Sequence, residues 1–362
     1  MTELTQDQIW MRLAIELARQ GQYSTKPNPN VGCVIVKDGI IVGEGFHPKA
    51  GQPHAEVFAM RQAGEQARGA TAYVTLEPCA HYGRTPPCAK GLVEAGLAKV
   101  IVACPDPNPL VAGKGVQILK DAGIEVKVGI CEDEAHPLNY GFLKAMATGM
   151  PYVRLKIASS LDGRTAMASG ESKWITGPEA RQDVQHWRAI SGAVITGIDT
   201  VLADDCQLNV RSLKEVNDIS TIVQPKRIIL DRQGRLPLNA KILENPETVT
   251  VMGPYRQELV DLGVTHIEIQ PLKELLQQLV QQHQIYDVLV EAGANLSTAF
   301  LQAGLVDELI SYVAPTLLGQ NARSMFNAEF SRMAEQLRFK LQDVTRLGGD
   351  VRFRLIPSQE TL

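Results

Sequence analysis

His54, Glu56, Cys79 and Cys88 are the residues of this chain whose types and spacing point most directly to chemistry. One imidazole and two thiolates suit Zn2+, which takes nitrogen and sulfur donors in a tetrahedron and, in catalytic sites, leaves the fourth position to water. A structural zinc closes its tetrahedron with a fourth side chain and would leave Glu56 without a role. Two residues after His54, at a predicted helix start, Glu56 can lean over the open position and carry protons to and from a bound water. Pro86 and Pro87 open the next predicted helix and put Cys88 on its first turn, where the helix N-terminus favours a thiolate.

The pattern His-x-Glu, then Pro-Cys-x-x-Cys, marks zinc deaminases acting on nucleobases. This chain departs from it, because residues 80–87 separate the two cysteines. On the residues alone, His81 is therefore an alternative to Cys88 as a ligand. Several neighbours carry two readings. Asn28, in the run Lys26-Pro-Asn-Pro-Asn30, is either part of a polar turn or a contact to a base edge. His47 is similarly open. Cys33 reads as a core residue, Cys104 and Cys131 as unremarkable, and His136 as a surface or interdomain residue.

The elements that must position these groups alternate. A helix is expected around Ile9, Leu13, Leu17 and Ala18. A strand hairpin is expected over 31–36 and 40–46, turning at 37–39. A helix over 55–67, a strand over 72–76, a helix after Pro87, a strand over 99–103, a helix over 114–121 and a strand over 124–128 follow. The pattern resets near 143–151, which sets a domain boundary at 147–151. Beyond it, strands are expected near 152–157, 193–196, 226–230, 248–252, 264–269, 286–291 and 307–314, with helices between them. A hairpin over 339–344 and 351–356 ends the chain. Strands separated by helices indicate an α/β fold, here in two directly joined domains, 1–147 and 151–362.

The second half carries weaker signals. No G-x-G-x-x-G opens a βαβ unit, so an ordinary dinucleotide fingerprint is not indicated. The run 290–297 places Gly293 between a strand and a helix whose first amides could hold phosphate; an ordinary strand-to-helix turn explains it equally well. Asp204-Asp205 reads as a solvated turn, and Lys156 as a snorkelling residue at a strand edge.

Composition narrows the function classes. The 362 residues are 44% hydrophobic and 21% charged, enough for sizeable cores. The halves are balanced, with 14 basic and 15 acidic residues over 1–150 and 22 and 25 over 151–362. Neither half has the basic excess of a nucleic-acid-binding domain, and an aromatic content of 5% leaves little base-stacking surface. No apolar run approaches the roughly 18–20 residues that span a bilayer. The N-terminus lacks a basic segment followed by an apolar one. Six irregularly spaced cysteines do not make a disulfide scaffold, so a cytoplasmic setting is expected.

Three stretches of the first half, 26–32, 54–56 and 75–88, closely resemble the bifunctional deaminase/reductases of bacterial riboflavin biosynthesis. The long gap before Cys88 is itself a mark of that family. Four stretches of the second half match in order: 155–166, 169–176, 200–205 and 290–295. The resemblance implies a cytidine-deaminase-like N-terminal domain and a dihydrofolate-reductase-like C-terminal domain. It implies zinc-dependent removal of the 2-amino group of 2,5-diamino-6-ribosylamino-4(3H)-pyrimidinone 5′-phosphate, with His54, Cys79 and Cys88 as ligands and Glu56 as the proton carrier. Asn28, His47 and Arg84 would touch the base and the phosphoribosyl group. NADPH reduction of the ribosyl group of the product to ribityl would follow. By motif position, Ala158, Trp174, Thr200, Asp204, Gly293, Ala294, Asn295, Leu296, Ser297, Thr298 and Ala299 would contact the cofactor. Ser172, Arg188, Leu208, Arg211 and Glu291 would contact the substrate, with Lys156 and Asp204 handling protons or polarising the opened sugar. A homo-oligomer is implied, with no nucleic-acid or membrane partner. The rival readings are a nucleic-acid-editing deaminase with an RNA-binding second domain, and a structural zinc module fused to a small-molecule-binding domain.

Overall fold

The computed structural model describes residues 4–80 and 87–358. The chain divides into two compact units, Met1–Met150 and Pro151–Leu362.

The first unit runs α1 (Gln6–Arg19), β1 (Gly32–Lys37), β2 (Ile40–Phe46), α2 (Ala55–Ala63), β3 (Thr71–Leu76), α3 (Cys88–Glu94), β4 (Lys99–Cys104), α4 (Lys114–Asp121), β5 (Glu125–Val128), α5 (Glu132–Ala135) and α6 (Tyr140–Thr148). Its five strands order as β2-β1-β3-β4-β5, antiparallel across β2, β1 and β3 and parallel from β3 to β5. The expected hairpin forms: Lys37 pairs with Ile40 around Asp38 and Gly39, both at positive φ, the two-residue turn whose twist suits adjacent strands. Alternate strand residues face opposite cores. Cys33, Ile35, Ala72, Val74, Val100 and Val102 pack with residues of α2, α3 and α4 on one face. Val34, Val36, Tyr73, Ile101 and Ala103 pack with α1 and the helices after β5 on the other. The helix expected over 55–67 ends earlier, at Ala63. Gly64 takes a left-handed φ of 51°, and a 3-10 turn covers Gly64–Ala67.

The second unit runs β6 (Tyr152–Ser160), β7 (Arg164–Ala166), α7 (Pro178–Ile190), β8 (Ala193–Gly197), α8 (Ile198–Asp204), β9 (Lys226–Leu230), β10 (Val249–Met252), α9 (Gln257–Asp261), β11 (Thr265–Ile267), α10 (Leu272–His283), β12 (Asp287–Glu291), α11 (Ala294–Gln302), β13 (Glu308–Ala314), β14 (Arg323–Ser324), β15 (Phe339–Leu347) and β16 (Asp350–Pro357). Nine strands form one sheet, ordered β11-β10-β9-β8-β12-β6-β13-β16-β15. It is parallel from β11 to β13, and the terminal hairpin β15–β16 adds two antiparallel strands beside β13. The short pair β7–β14 lies outside it and has no counterpart in the sequence reading. On one face, Val194, Ile229, Val251, Leu289, Ile310 and Tyr312 pack with Val184 and Trp187 of α7. β6 sits between β12 and β13, so Lys156 is in the middle of the sheet rather than at an edge.

Candidate active sites

In the first unit, His54 is the N-cap residue of α2, Cys79 follows β3, and Cys88 opens α3. Their ligand atoms lie within 4.8 Å of one another. His54 Nδ1 is 3.2 Å from Cys88 Sγ and 3.7 Å from Cys79 Sγ. Those separations bracket the roughly 3.5 Å edge of a tetrahedron built from Zn–N and Zn–S bonds of about 2.1 and 2.3 Å. The backbone amide of Cys88 donates to Cys79 Sγ at 3.3 Å. Hydrogen bonding from Cys88, and then from His54, holds the Cys79 thiol well below its ordinary range. The donor set therefore fits a cation that binds thiolate and imidazole.

Glu56, the second residue of α2, is 3% exposed, and its Oε2 has no hydrogen-bond partner among the described residues. Burial raises its pKa, against the opposing pull of His54. A carboxyl whose pKa is raised in this way takes up a proton more readily than an exposed one, which suits a group that must accept and return it. α2 is held close by two glycines of β2: a methyl at Gly43 would lie 2.1 Å from the Ala59 carbonyl oxygen, and one at Gly45 2.6 Å from that of Ala55.

Beside this triad, the His47 ring meets that of His54 edge-on at 5.4 Å. His47 Nδ1 is 3.0 Å from the Pro53 carbonyl, which only accepts, so Nδ1 carries the proton. Nε2 then accepts from the Asn28 side-chain amide at 3.0 Å. Burial lowers the pKa of His47, consistent with the neutral ring. The loop bearing Asn28 is pinned by Asn30 and Asn139: Asn139 Oδ1 accepts from the Asn30 amide at 2.7 Å, and Asn139 Nδ2 donates to the Asn30 carbonyl at 2.9 Å. At a sequence separation of 109, that pair has no local sequence signal. Arg84 and the alternative ligand His81 lie outside the described residues. Cys33 is wholly buried and His136 exposed.

In the second unit most of the predicted residues lie on β6, at the end of β12, or in α8 and the start of α11, the helices that follow β8 and β12. Lys156 and Glu291 are paired neighbours on β6 and β12. Glu291, 7% exposed, accepts both arms of Arg188 from α7, at 2.5 and 2.9 Å, and lies 3.7 Å from Lys156 Nζ. Burial alone would raise the Glu291 pKa; Arg188 and then Lys156 overcome it, and the net shift is downward. Burial lowers the Lys156 pKa, with Glu291 opposing. Two cations share one carboxylate, so a positive charge is left over. Leu208 is buried with a left-handed φ of 55°, and Arg211, exposed nearby, has its pKa lowered by burial and by Arg188. Ser172 donates to Asp204 Oδ1 at 3.0 Å, and Lys173 Nζ donates to the Asp204 carbonyl at 2.8 Å, tying this stretch to the end of α8. Trp174, 69% exposed, lies under the Arg181 guanidinium at 4.5 Å.

Gly293 is the N-cap of α11 and makes no side-chain cap, so the first amides of the helix are free for a phosphate. Thr200 Oγ1 is 4.0 Å from where a Gly293 methyl would stand. Within the predicted run 293–299 the residues divide. Ser297 and Thr298 are buried, with Ser297 Oγ donating to the Ala292 carbonyl and Thr298 Oγ1 accepting from the Asn327 amide. Asn295 is exposed and accepts from the Asn327 side-chain amide. Gly293 and Asn295 are exposed and Ala294 and Leu296 half-buried at the helix start, and Ala299 is exposed one turn further on. Ala158 lies two residues past Lys156 on β6.

Comparison with known proteins gives two family matches. Residues 4–104 match the cytidine and deoxycytidylate deaminase zinc-binding region. Residues 151–353 match the RibD C-terminal domain. The riboflavin biosynthesis protein RibD of Haemophilus influenzae is 52% identical over 364 residues, covering 98% of each chain. A solved structure of RibD from Acinetobacter baumannii is 80% identical, with a TM-score of 0.96, covering 99% of this chain and 100% of that one. The crystal structure of a diaminohydroxyphosphoribosylaminopyrimidine deaminase/5-amino-6-(5-phosphoribosylamino)uracil reductase from Thermotoga maritima is 35% identical, with a TM-score of 0.86, covering 97% and 99%.

Proposed function

Because the chain belongs to the RibD family of riboflavin-biosynthesis proteins, we propose that its first unit deaminates a phosphoribosyl diaminopyrimidinone and its second reduces the ribosyl group of the product. The chain is a bifunctional enzyme, a zinc-dependent deaminase and a reductase. The observation that carries the reading is the His54, Cys79 and Cys88 triad beside a buried Glu56 whose Oε2 has no partner among the described residues.

Zinc held by the triad supplies Lewis acidity, which makes water a nucleophile near neutral pH. Glu56 Oε2 takes a proton from the attacking water and gives it to the ring nitrogen next to the amino-bearing carbon. It then takes the second proton from the hydroxyl now on that carbon and gives it to the departing amine, so that a carbonyl forms as the C–N bond breaks and ammonia leaves. Asn28 and neutral His47 present polar atoms to the base, and Arg84 binds the phosphoribosyl group; a guanidinium suits a phosphate because it binds in two-pronged fashion.

NADPH supplies the hydride of the second reaction, whose acceptor is C1′ of the opened sugar. The amides at the start of α11, with Thr200 and Trp174, hold the cofactor. Ser172, Leu208, Arg211, Arg188 and Glu291 seat the substrate, and the surplus positive charge around Glu291 attracts its phosphate. Lys156 Nζ delivers the proton that balances the hydride, with Asp204 beside it. Placing C1′ against the nicotinamide provides much of the rate. The rival editing deaminase is not supported, because residues 151–353 match the reductase-domain family rather than an RNA-binding domain. We further read the enzyme as cytoplasmic, from its cysteine usage, and as a homo-oligomer, from the resemblance; no helix among the described residues is long and apolar enough to cross a membrane. A single monomer mass in sedimentation equilibrium would contradict the oligomer.

The test is a coupled assay of zinc-replete protein with the diaminopyrimidinone ribosyl phosphate, following ammonia and NADPH absorbance together. Ammonia appears without NADPH, and NADPH is consumed only after deamination. Folded, zinc-loaded protein giving neither signal would overturn the reading.

A further inference from the structure

Glu77 precedes Cys79 by two residues, is 4% exposed, and has no part in the chemistry above. An acid so close to two thiolates is a natural suspect for a fourth metal ligand, but its oxygens are spent elsewhere. Oε2 accepts the backbone amides of Asp106 at 3.3 Å and Gly113 at 3.1 Å. Oε1 accepts those of Gly115 at 3.1 Å and Val116 at 3.2 Å. Three of the four donors belong to the start of α4, whose own N-cap, Gly113, is left-handed at φ 83° and has no side chain to cap with. Glu77 is therefore the cap of α4, supplied from 36 residues away. Its negative charge answers the amides and positive end of that helix.

The clamp reaches the metal ligand through Pro78. That residue has no amide hydrogen, so it cannot anchor itself by donating. Its carbonyl oxygen is pressed against α4, since a methyl on Gly115 would lie 2.0 Å away. On the other side, Cys79 is held by α3: Ala89 donates to the Cys79 carbonyl at 3.2 Å and Cys88 donates to Cys79 Sγ at 3.3 Å. The Glu77 backbone amide continues the β3–β4 ladder by donating to the Cys104 carbonyl at 3.0 Å. Beyond it the segment is held between the first turns of two helices, and the Glu77 side chain makes the attachment to α4.

We propose that Glu77 is a positioning residue for the metal ligand Cys79, holding the thiolate where the triad needs it by fastening the 77–79 segment to α4. The inference rests on the deaminase reading of the triad.

Metal-stripped full-length protein, titrated with zinc against a chromophoric chelator, tests it. The unaltered protein binds one zinc per chain; if it bound none, the deaminase reading itself would fail, whatever the variants did. Glu77→Gln keeps the shape but turns an NH2 group toward amides that need an acceptor. It binds zinc about 10- to 100-fold more weakly, the usual loss when a partner behind a ligand is removed. With Co2+ in place of zinc, its thiolate-to-metal absorption band shifts. Its circular dichroism and reductase turnover stay unchanged, showing that the chain is folded. Unaltered zinc affinity with only a lower Tm in the metal-free protein would overturn the proposal, leaving Glu77 a helix cap and nothing more. If Glu77→Gln does not fold, Gly115→Ala decides, because it pushes on Pro78 from the α4 side: weakened zinc binding supports the proposal, and folded protein with unaltered affinity refutes it.

Discussion

Glu56 illustrates what burial does to a single residue. Its carboxyl is enclosed, has one oxygen without a partner among the described residues, and titrates above its ordinary range. In Glu56→Gln the shape is kept and the proton carrier lost. Ammonia release falls by about 10²- to 10⁴-fold, while zinc content by atomic absorption and the fold are unchanged. Full turnover in that variant would mean that Glu56 does not carry the proton. Glu291 makes the opposite case, a buried acid held charged. Its folded pKa lies below its unfolded value of 4.5, because Arg188 and Lys156 outweigh burial. The stability it contributes is therefore present above pH 4.5 and is lost as pH falls through the folded value. Calorimetry from about pH 3 to 6 should show Glu291→Gln with a flatter dependence of Tm on pH than the parent. An equal slope in both would mean the cluster is not linked to acid unfolding. Of these groups, His54 and Glu56 were legible because a single residue separates them. The Arg188–Glu291 pair spans 103 residues and carries no local pattern, so only the family resemblance pointed to it.

At the scale of elements, the deaminase site depends on how closely α2 lies on β2. Gly43 permits that approach, because any side chain there meets the Ala59 carbonyl oxygen. Overpacking of this kind costs about 1–3 kcal/mol. Gly43→Ala should lower the Tm of the first unit and impair ammonia release, because α2 carries both His54 and Glu56. Reductase turnover supplied with the deaminated substrate should remain at the parental level. Undiminished deamination would mean that the helix can move without disturbing its ligands. Most elements were legible from alternation and periodicity, since those patterns record which faces are buried. The stop of α2 at Ala63 was not, because the apolar pattern continues through Ala67 and only the left-handed Gly64 breaks the helix. The pair β7–β14 also escaped notice. Its strands are three and two residues long, too short for any periodicity to register.

At the scale of the whole molecule, each predicted site draws its described residues from one compact unit: the triad from Met1–Met150, and Lys156, Arg188 and Glu291 from Pro151–Leu362. A chelator that strips the zinc should therefore abolish ammonia release and leave NADPH oxidation of the deaminated substrate intact, with zinc addition restoring the first. Simultaneous loss of both activities would tie the reductase to the metal. By itself, the sequence determined the α/β character, the place near residue 150 where one pattern stops and another starts, and the identity of the metal-binding chemistry. These are written in local order: periodicity, a Pro at the joint, and ligand types on short motifs. The tertiary structure decided that Lys156 is central and paired, that Glu77 caps a helix 36 residues away, and that Ser297 and Thr298 turn inward. Each of those facts depends on which strands and helices become neighbours. Neighbourhood is set by the burial of whole faces, and no single stretch of sequence contains it.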